Sequence, residues 1–352
     1  MKLKIATTLL TLPLIASAQL EGQWSIEKIN AWYADVGIIK GCNYLPATAV
    51  NDIDMWQESS FDPETIKAEL KLAHESGYNS VRVFLHYLVW KEQKFTFKQN
   101  IETFLKIADR NGIKVMFILF DDCNAPDQSP FVGEQEAPKT GHHNSRWVAC
   151  PGLDVVDDQA QFAGYESYLK DVISTYKADA RIIAWDLYNE PGNTGVGMRS
   201  KGLLLNAFKW AREVNPSQPL TVGAWNLDNL EDEMSQIMMS HSDFITFHSY
   251  KDIADLKRRI AVCQRFNRPI VNTEWLRRQA GNTFELVLPV FVENKIGWYH
   301  WGLVQGKTQT WLHWVSSKAD IKDTPWQHDI FTPDYRPYNL EEIEMVKGFG
   351  FD

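Results

Sequence analysis

Two glutamates stand where acid–base chemistry could be done. Glu190 falls in Trp185-Asp186-Leu187-Tyr188-Asn189-Glu190-Pro191-Gly192, where an apolar run stops at a carboxylate followed by a turn-forming Pro-Gly pair. Glu274 closes a second apolar run, Pro269-Ile270-Val271-Asn272-Thr273-Glu274-Trp275. Alone, each has a plain structural reading: a loop carboxylate beside a turn for Glu190, an ion pair with Arg82, Arg277 or Arg278 for Glu274. Together they offer one carboxyl that can be held protonated and one that can be held ionised. A different set of types, His142, His143, Asp121 and Asp122, reads as the ligands of a metal-dependent hydrolase, although adjacent histidines point in different directions.

Whether the two glutamates meet depends on the elements that carry them. From Gly37 onward, short β-branched apolar runs alternate with longer amphipathic stretches, the pattern of repeated βα units and a parallel sheet. The expected strands are Ile38 to Asn43, Ser80 to Leu85, Lys114 to Phe120, Ile182 to Asn189, Leu220 to Ala224, Phe244 to Ser249, Ile270 to Glu274 and Gly297 to Trp301. Runs such as Val115-Met116-Phe117-Ile118-Leu119-Phe120 are apolar throughout, as parallel strands covered on both faces should be. Asp62-Pro63-Glu64-Thr65 starts a helix, with Asp as N-cap and Pro at the first helical position. Further helices are expected at Asn100 to Asn111, Gln159 to Tyr176, Lys201 to Val214, Leu230 to Met239, Ile253 to Phe266, Phe284 to Asn294 and Leu340 to Val346. The expected fold is α/β: a single (β/α)8 barrel over residues 19–352, with no linker or repeat marking a second domain. Its long loops, Asp121 to Asp158 after strand 3 and Gly302 to about Tyr338 after strand 8, leave the strand C-termini, the face that carries the active site in such barrels.

In that frame Glu190 ends strand four and Glu274 strand seven, facing each other across the barrel mouth. Glycoside hydrolysis needs such a pair: an acid to protonate the leaving oxygen and a carboxylate to meet the charge developing at the anomeric carbon. Fourteen tryptophans add aromatic surface suited to sugar rings. Trp90, Trp147, Trp225, Trp298, Trp311 and Trp314 are the candidates for subsites, though several must also pack.

At these residues the sequence resembles the clan A glycoside hydrolases, and most of all family 5. The resemblance implies that Glu190 of Asn-Glu-Pro is the acid/base and Glu274 of Thr-Glu-Trp the nucleophile. It makes Asn189 the partner of the sugar 2-hydroxyl and puts Arg82, in Asn79-Ser80-Val81-Arg82-Val83, beneath the nucleophile, depressing its pKa. His248 and Tyr250 match the family's His-x-Tyr, the Tyr orienting Glu274 and the His touching substrate or the acid. Trp301 matches the aromatic floor. Satisfied core or turn residues are the alternative for Asn189, His248 and Trp301. The family commonly has a His after strand three; here stands Phe120-Asp121-Asp122-Cys123, and Asp122 joins Trp225 among the candidate substrate contacts.

The implied function is retaining hydrolysis of β-linked glucan, mannan or xylan-type oligo- or polysaccharides by double displacement. Glu190 is then held neutral by a less polar setting and by Glu274, and the carboxyls stand roughly 5–5.5 Å apart rather than the roughly 6.5–9.5 Å of an inverting enzyme. A catalytically inactive carbohydrate-binding barrel and the metal-dependent hydrolase are the alternatives; no cofactor or metal is expected. With 45 acidic against 36 basic residues, the chain is unsuited to nucleic acid or an anionic membrane face. Lys2 and Lys4, the apolar run Ile5 to Ile15 and Ala16-Ser17-Ala18 form a signal-peptide pattern over residues 1–18, which implies a secreted or periplasmic protein free of the membrane after cleavage, and a monomer is expected. Of Cys42, Cys123, Cys150 and Cys263, Cys123 with Cys150 is the favoured bridge, against unpaired thiols.

Overall fold

The computed structural model describes residues 19–229, 231–314 and 324–351, so the expected signal segment lies outside the described residues. Eight parallel strands follow the expected order: β1 Lys40–Asn43, β2 Ser80–Phe84, β3 Lys114–Asp121, β4 Ile182–Asn189, β5 Leu220–Gly223, β6 Ile245–His248, β7 Ile270–Glu274 and β8 Gly297–Trp301. They pair β5-β4-β3-β2-β1-β8-β7-β6, and the Ala224–Phe247 bridge brings β5 to β6, so the sheet is a nearly closed barrel. Such closure leaves each strand covered on both faces, and β2, β4 and β7 are buried at every position.

The helices are α1 Ile26–Val36, α2 Asp52–Trp56, α3 Pro63–Glu75, α4 Tyr87–Arg110, α5 Phe162–Tyr176, α6 Lys201–Val214, α7 Glu233–His241, α8 Ile253–Gln264, α9 Phe284–Asn294 and α10 Leu340–Gly348. Asp62 caps α3 as expected, accepting from the Thr65 amide, with Pro63 in the first turn. Four features depart from expectation, one of them the short helix α2, which was not expected. Helix α4 starts at Tyr87, because His86 caps it by accepting from Leu88 and the helix runs on across a kink at Gln93, where φ is −131°. Helix α7 starts at Glu233 because Asp232 caps it there; residue 230, where it was expected to begin, is not described. Helix α1 was not expected. Its Ile29 packs with Ile39, Met116, Ile183, Phe244 and Val271 near the strand starts, sealing the barrel at the end opposite the loops.

The connection after β3 runs without a regular helix or strand to α5, held by the Asp121–Cys150 bridge. The connection after β8 runs to α10, and residues 315–323 within it are not described. All four cysteines are free, which corrects the favoured Cys123–Cys150 bridge: Cys150 points its thiol at the Leu119 carbonyl, 3.3 Å away, while Cys123 turns toward Glu190. Among the described residues no helix is long and apolar enough to cross a membrane.

Candidate active site

Most of the candidate side chains leave the C-terminal rim of the barrel. Asn189, His248, Glu274 and Trp301 are the last residues of β4, β6, β7 and β8; Glu190 and Tyr250 follow β4 and β6 within two residues. Glu190 has φ +45°, a left-handed conformation that costs a non-glycine residue roughly 1–3 kcal/mol. Its amide donates to the Gly223 carbonyl at 3.0 Å and its own carbonyl accepts from Asn193 at 3.0 Å, so both neighbours hold the strained backbone. The conformation turns the carboxylate inward over the barrel rather than along the strand.

Arg82 lies beneath, fully buried, and each of its five N–H donors is used. Nε and Nη2 donate to Asp186 Oδ2 at 2.9 and 2.7 Å, Nη2 to Asn189 Oδ1 at 2.6 Å, and Nη1 to Asn43 Oδ1 at 2.7 Å and Glu274 Oε1 at 2.9 Å. Tyr250 donates to the other Glu274 oxygen at 2.9 Å. His248 Nδ1 bonds Glu190 Oε1 at 2.5 Å and stands 3.5 Å from Glu274. Glu190 Oε2 accepts from the Cys123 thiol at 3.2 Å and from Asn193. One carboxylate oxygen from each glutamate and a His248 ring nitrogen lie within 4.8 Å of one another.

Burial pushes both glutamates up, yet they end on opposite sides of the ordinary value. On Glu190 the His248 ring, Cys123 and Asn193 outweigh burial and hold the carboxyl low. Glu274 stays high: burial comes first, and the Glu190 charge reinforces it against the pull of His248, Arg82 and Tyr250. This reverses the expected electrostatics. His248 sits on the acid candidate, and Arg82 divides its charge between Asp186 and Glu274, which weakens its grip on the nucleophile candidate.

A cavity of about 370 Å³ opens over this cluster, lined by Glu190, Glu274, Asn189, His248, Tyr250, Trp301 and Trp225. Trp147 and the exposed Trp314 also line it. Trp90 and Trp298 do not: Trp90 is buried with its indole bonded to Asp171, Trp298 lies in the core, and Trp311 is half-buried outside the lining. Arg82 has no exposed surface with which to touch a ligand; it stands beneath Glu274, where the resemblance put it, and acts through Glu274 and Asn189 rather than on substrate directly. Asp122 is corrected. Its carboxylate is spent on Tyr188, Ser200 and the Gly192 amide, which pins the turn after Glu190.

The expected metal ligands do not converge. His142 bonds the Thr140 carbonyl and His143 the Leu312 carbonyl, while Asp121 accepts from Asn189, Trp147 and the Cys123 amide. Sequence reasoning missed Asn43, Asp186, Asn193 and Cys123 as members of the site. Asp186 and Asn193 could have been found, since each stands three or four residues from Glu190; Asn43 and Cys123 become neighbours only when the barrel closes.

The chain matches the model of the cellulase family, glycosyl hydrolase family 5, over residues 45–331. No curated protein matches it. Among solved structures it is similar to the β-mannanase of the blue mussel Mytilus edulis, at 16% identity and TM-score 0.53 over 89% of this chain and 93% of that one. The endo-1,4-β-mannanase of Rhizomucor miehei shares 13% identity and TM-score 0.58 over 89% and 94%. An exo-β-1,4-mannosidase from Opitutaceae bacterium strain TAV5 shares 15% identity and TM-score 0.61 over 89% and 60%. At these identities the structural likenesses show the fold.

Proposed function

Since the chain belongs to glycosyl hydrolase family 5 and is thus a glycoside hydrolase, we propose that it cleaves β-linked glycans of the glucan, mannan or xylan type with retention of configuration. The observation that carries this is that one oxygen of Glu190 and one of Glu274 lie within 4.8 Å of each other, a close approach of the kind a retaining pair needs, whose carboxyls stand about 5–5.5 Å apart. Glu274 attacks the anomeric carbon as the glycosidic C–O bond breaks. The electron pair goes to the leaving oxygen, which takes a proton from Glu190. Water then adds to the glycosyl carbon, gives a proton to Glu190 and frees Glu274.

The low pKa of Glu190 constrains the first step. The short His248 Nδ1–Glu190 Oε1 hydrogen bond favours the ionised carboxyl, so the setting of Glu190 must change as substrate binds for it to serve as the acid. A sugar bound over the glutamates excludes solvent from them, which favours the neutral form of the carboxyl.

The directions of the two shifts favour a second reading in which the roles are exchanged. Azide decides between them. Glu274→Ala with azide should yield a glycosyl azide of inverted configuration and Glu190→Ala one of retained configuration; the opposite pairing would exchange the assignments, and an inverted product from the native enzyme would end the retaining mechanism.

A further inference from the structure

The cavity draws its lining from the ends of β3 through β8, and among the described residues nothing from the loops after β1 and β2 reaches it. That sector is shut by three loops bonded to one another. Asn51, at the start of α2, donates to the Arg146 carbonyl and to Gln135, both at 2.9 Å, and Gln57 exchanges two 2.9 Å bonds with Gly133. The β3 loop is tied in turn to the β8 loop. Asn144 donates to the Thr308 carbonyl at 2.7 Å, and Gln309 bonds Gly141, Lys139 and His142 at 3.0, 2.8 and 3.1 Å. The β8 loop returns to the β1 loop, with Lys307 donating to the Ala47 carbonyl at 2.9 Å. Gly306 packs so closely there that a Cβ would lie 2.4 Å from Ala47 Cα. Inside the wall, Phe84, Trp147 and Trp301 meet edge to face at 4.8, 5.8 and 5.7 Å between ring centroids.

The wall has a direction relative to the chemistry. Glu190 gives its proton to the leaving oxygen, so the departing part of the glycan lies on its side, toward Asn193 and Trp225, whose indole donates to the Pro191 carbonyl at 3.1 Å. Glu274 and Trp301 line the same cavity, so the sugar that stays with Glu274 would lie over Trp301, and Trp301 belongs to the wall. Anything linked to that sugar on its non-reducing side would run into the aromatic trio. The volume agrees: 370 Å³ is near the lower end of the roughly 300–1,000 Å³ of ligand clefts, a space for a terminal residue rather than a polymer passing through.

Building on the retaining reading and its assignment of roles, we propose that the enzyme works from the non-reducing chain end and releases one terminal sugar per event. The stitched loops determine that specificity. The test is a ladder of β-1,4-linked gluco-, manno- and xylo-oligosaccharides labelled at the reducing end, sampled at the earliest times. One-unit-shorter labelled products are expected, and polymer viscosity should hold while reducing ends accumulate. Early mid-chain products or a rapid fall in viscosity would overturn the inference while leaving retaining hydrolysis intact. Absence of hydrolysis on every substrate would overturn both. Gln309→Ala, which cuts three of the ties away from the glutamates, should raise the share of internal cleavage. An unchanged pattern in a variant with native circular dichroism would show that the wall does not set the cleavage point.

Discussion

At the residue scale the site is a charge arrangement in which small donors matter. Cys123 is the unexpected one. Burial and the surrounding carboxylates keep its thiol well above the usual range, so at neutral pH it is an S–H donor to Glu190 rather than a thiolate. That bond helps hold the Glu190 carboxyl low. Cys123→Ala should therefore raise the Glu190 pKa and move the alkaline limb of the kcat/KM profile to higher pH, because that limb reports loss of the acid's proton. Cys123→Ser, which keeps a donor, should leave the limb near its native position; a downward move in the Ala variant would show that the thiol does not donate. The sequence disclosed Glu190, Glu274, Asn189, His248, Tyr250 and Trp301 because each ends or just follows a strand. It hid Cys123, whose role depends on the path of a loop with no periodicity to read.

At the scale of elements, the alternation of apolar runs and amphipathic stretches located all eight strands, since a parallel strand must be apolar on both faces. It misled for Asp122, where the residue type suggests a ligand contact and only the packing shows what the charge touches. The end of β5 makes the same point. A Cβ on Gly223 would lie 2.9 Å from Arg82 Nη2, 2.9 Å from Asn189 Oδ1 and 3.1 Å from His248 Nε2, so a glycine lets three buried polar groups meet over backbone. Gly223→Ala should displace them and cost about 1–3 kcal/mol of stability, the usual range for overpacking. Activity should fall by far more than the thermal midpoint suggests, since misplacement by about 1 Å can cost about a hundredfold in rate. A variant with native kcat would show that the cluster tolerates the extra carbon.

For the whole molecule, buried carboxyls outside the proposed catalytic pair shape the response to pH. Burial pushes Asp121 and Glu69 up to about 8 and Asp329 up to about 7. A carboxyl whose folded pKa is raised stabilises the fold while protonated, and that contribution is lost as pH climbs through the folded value. The buried His86 and His143, lowered to about 4 by burial, act in the opposite sense, but only below their ordinary value of about 6.5. The loss of the carboxyl contribution runs from the ordinary carboxyl value of about 4 up to these folded values, so between about pH 6.5 and 8, above the range of the histidines and below that of the buried thiols, the thermal midpoint should fall. A flat or rising midpoint would mean that these groups are ionised in the fold at neutral pH.

Helix α1 gives the molecule a timetable. Its neighbourhood donates and accepts far along the chain: Gln23 to the Ser240 and Ser242 carbonyls, Trp24 to Asp243, Tyr33 to the Lys295 carbonyl, with Trp32 against Phe244. These partners are translated more than two hundred residues after the helix itself. At about 5–20 residues per second, these late partners follow the helix by roughly 10–60 seconds, and until then its apolar stripe is covered only in part. A nascent chain stalled before β6 therefore holds this segment with only part of its docking surface made.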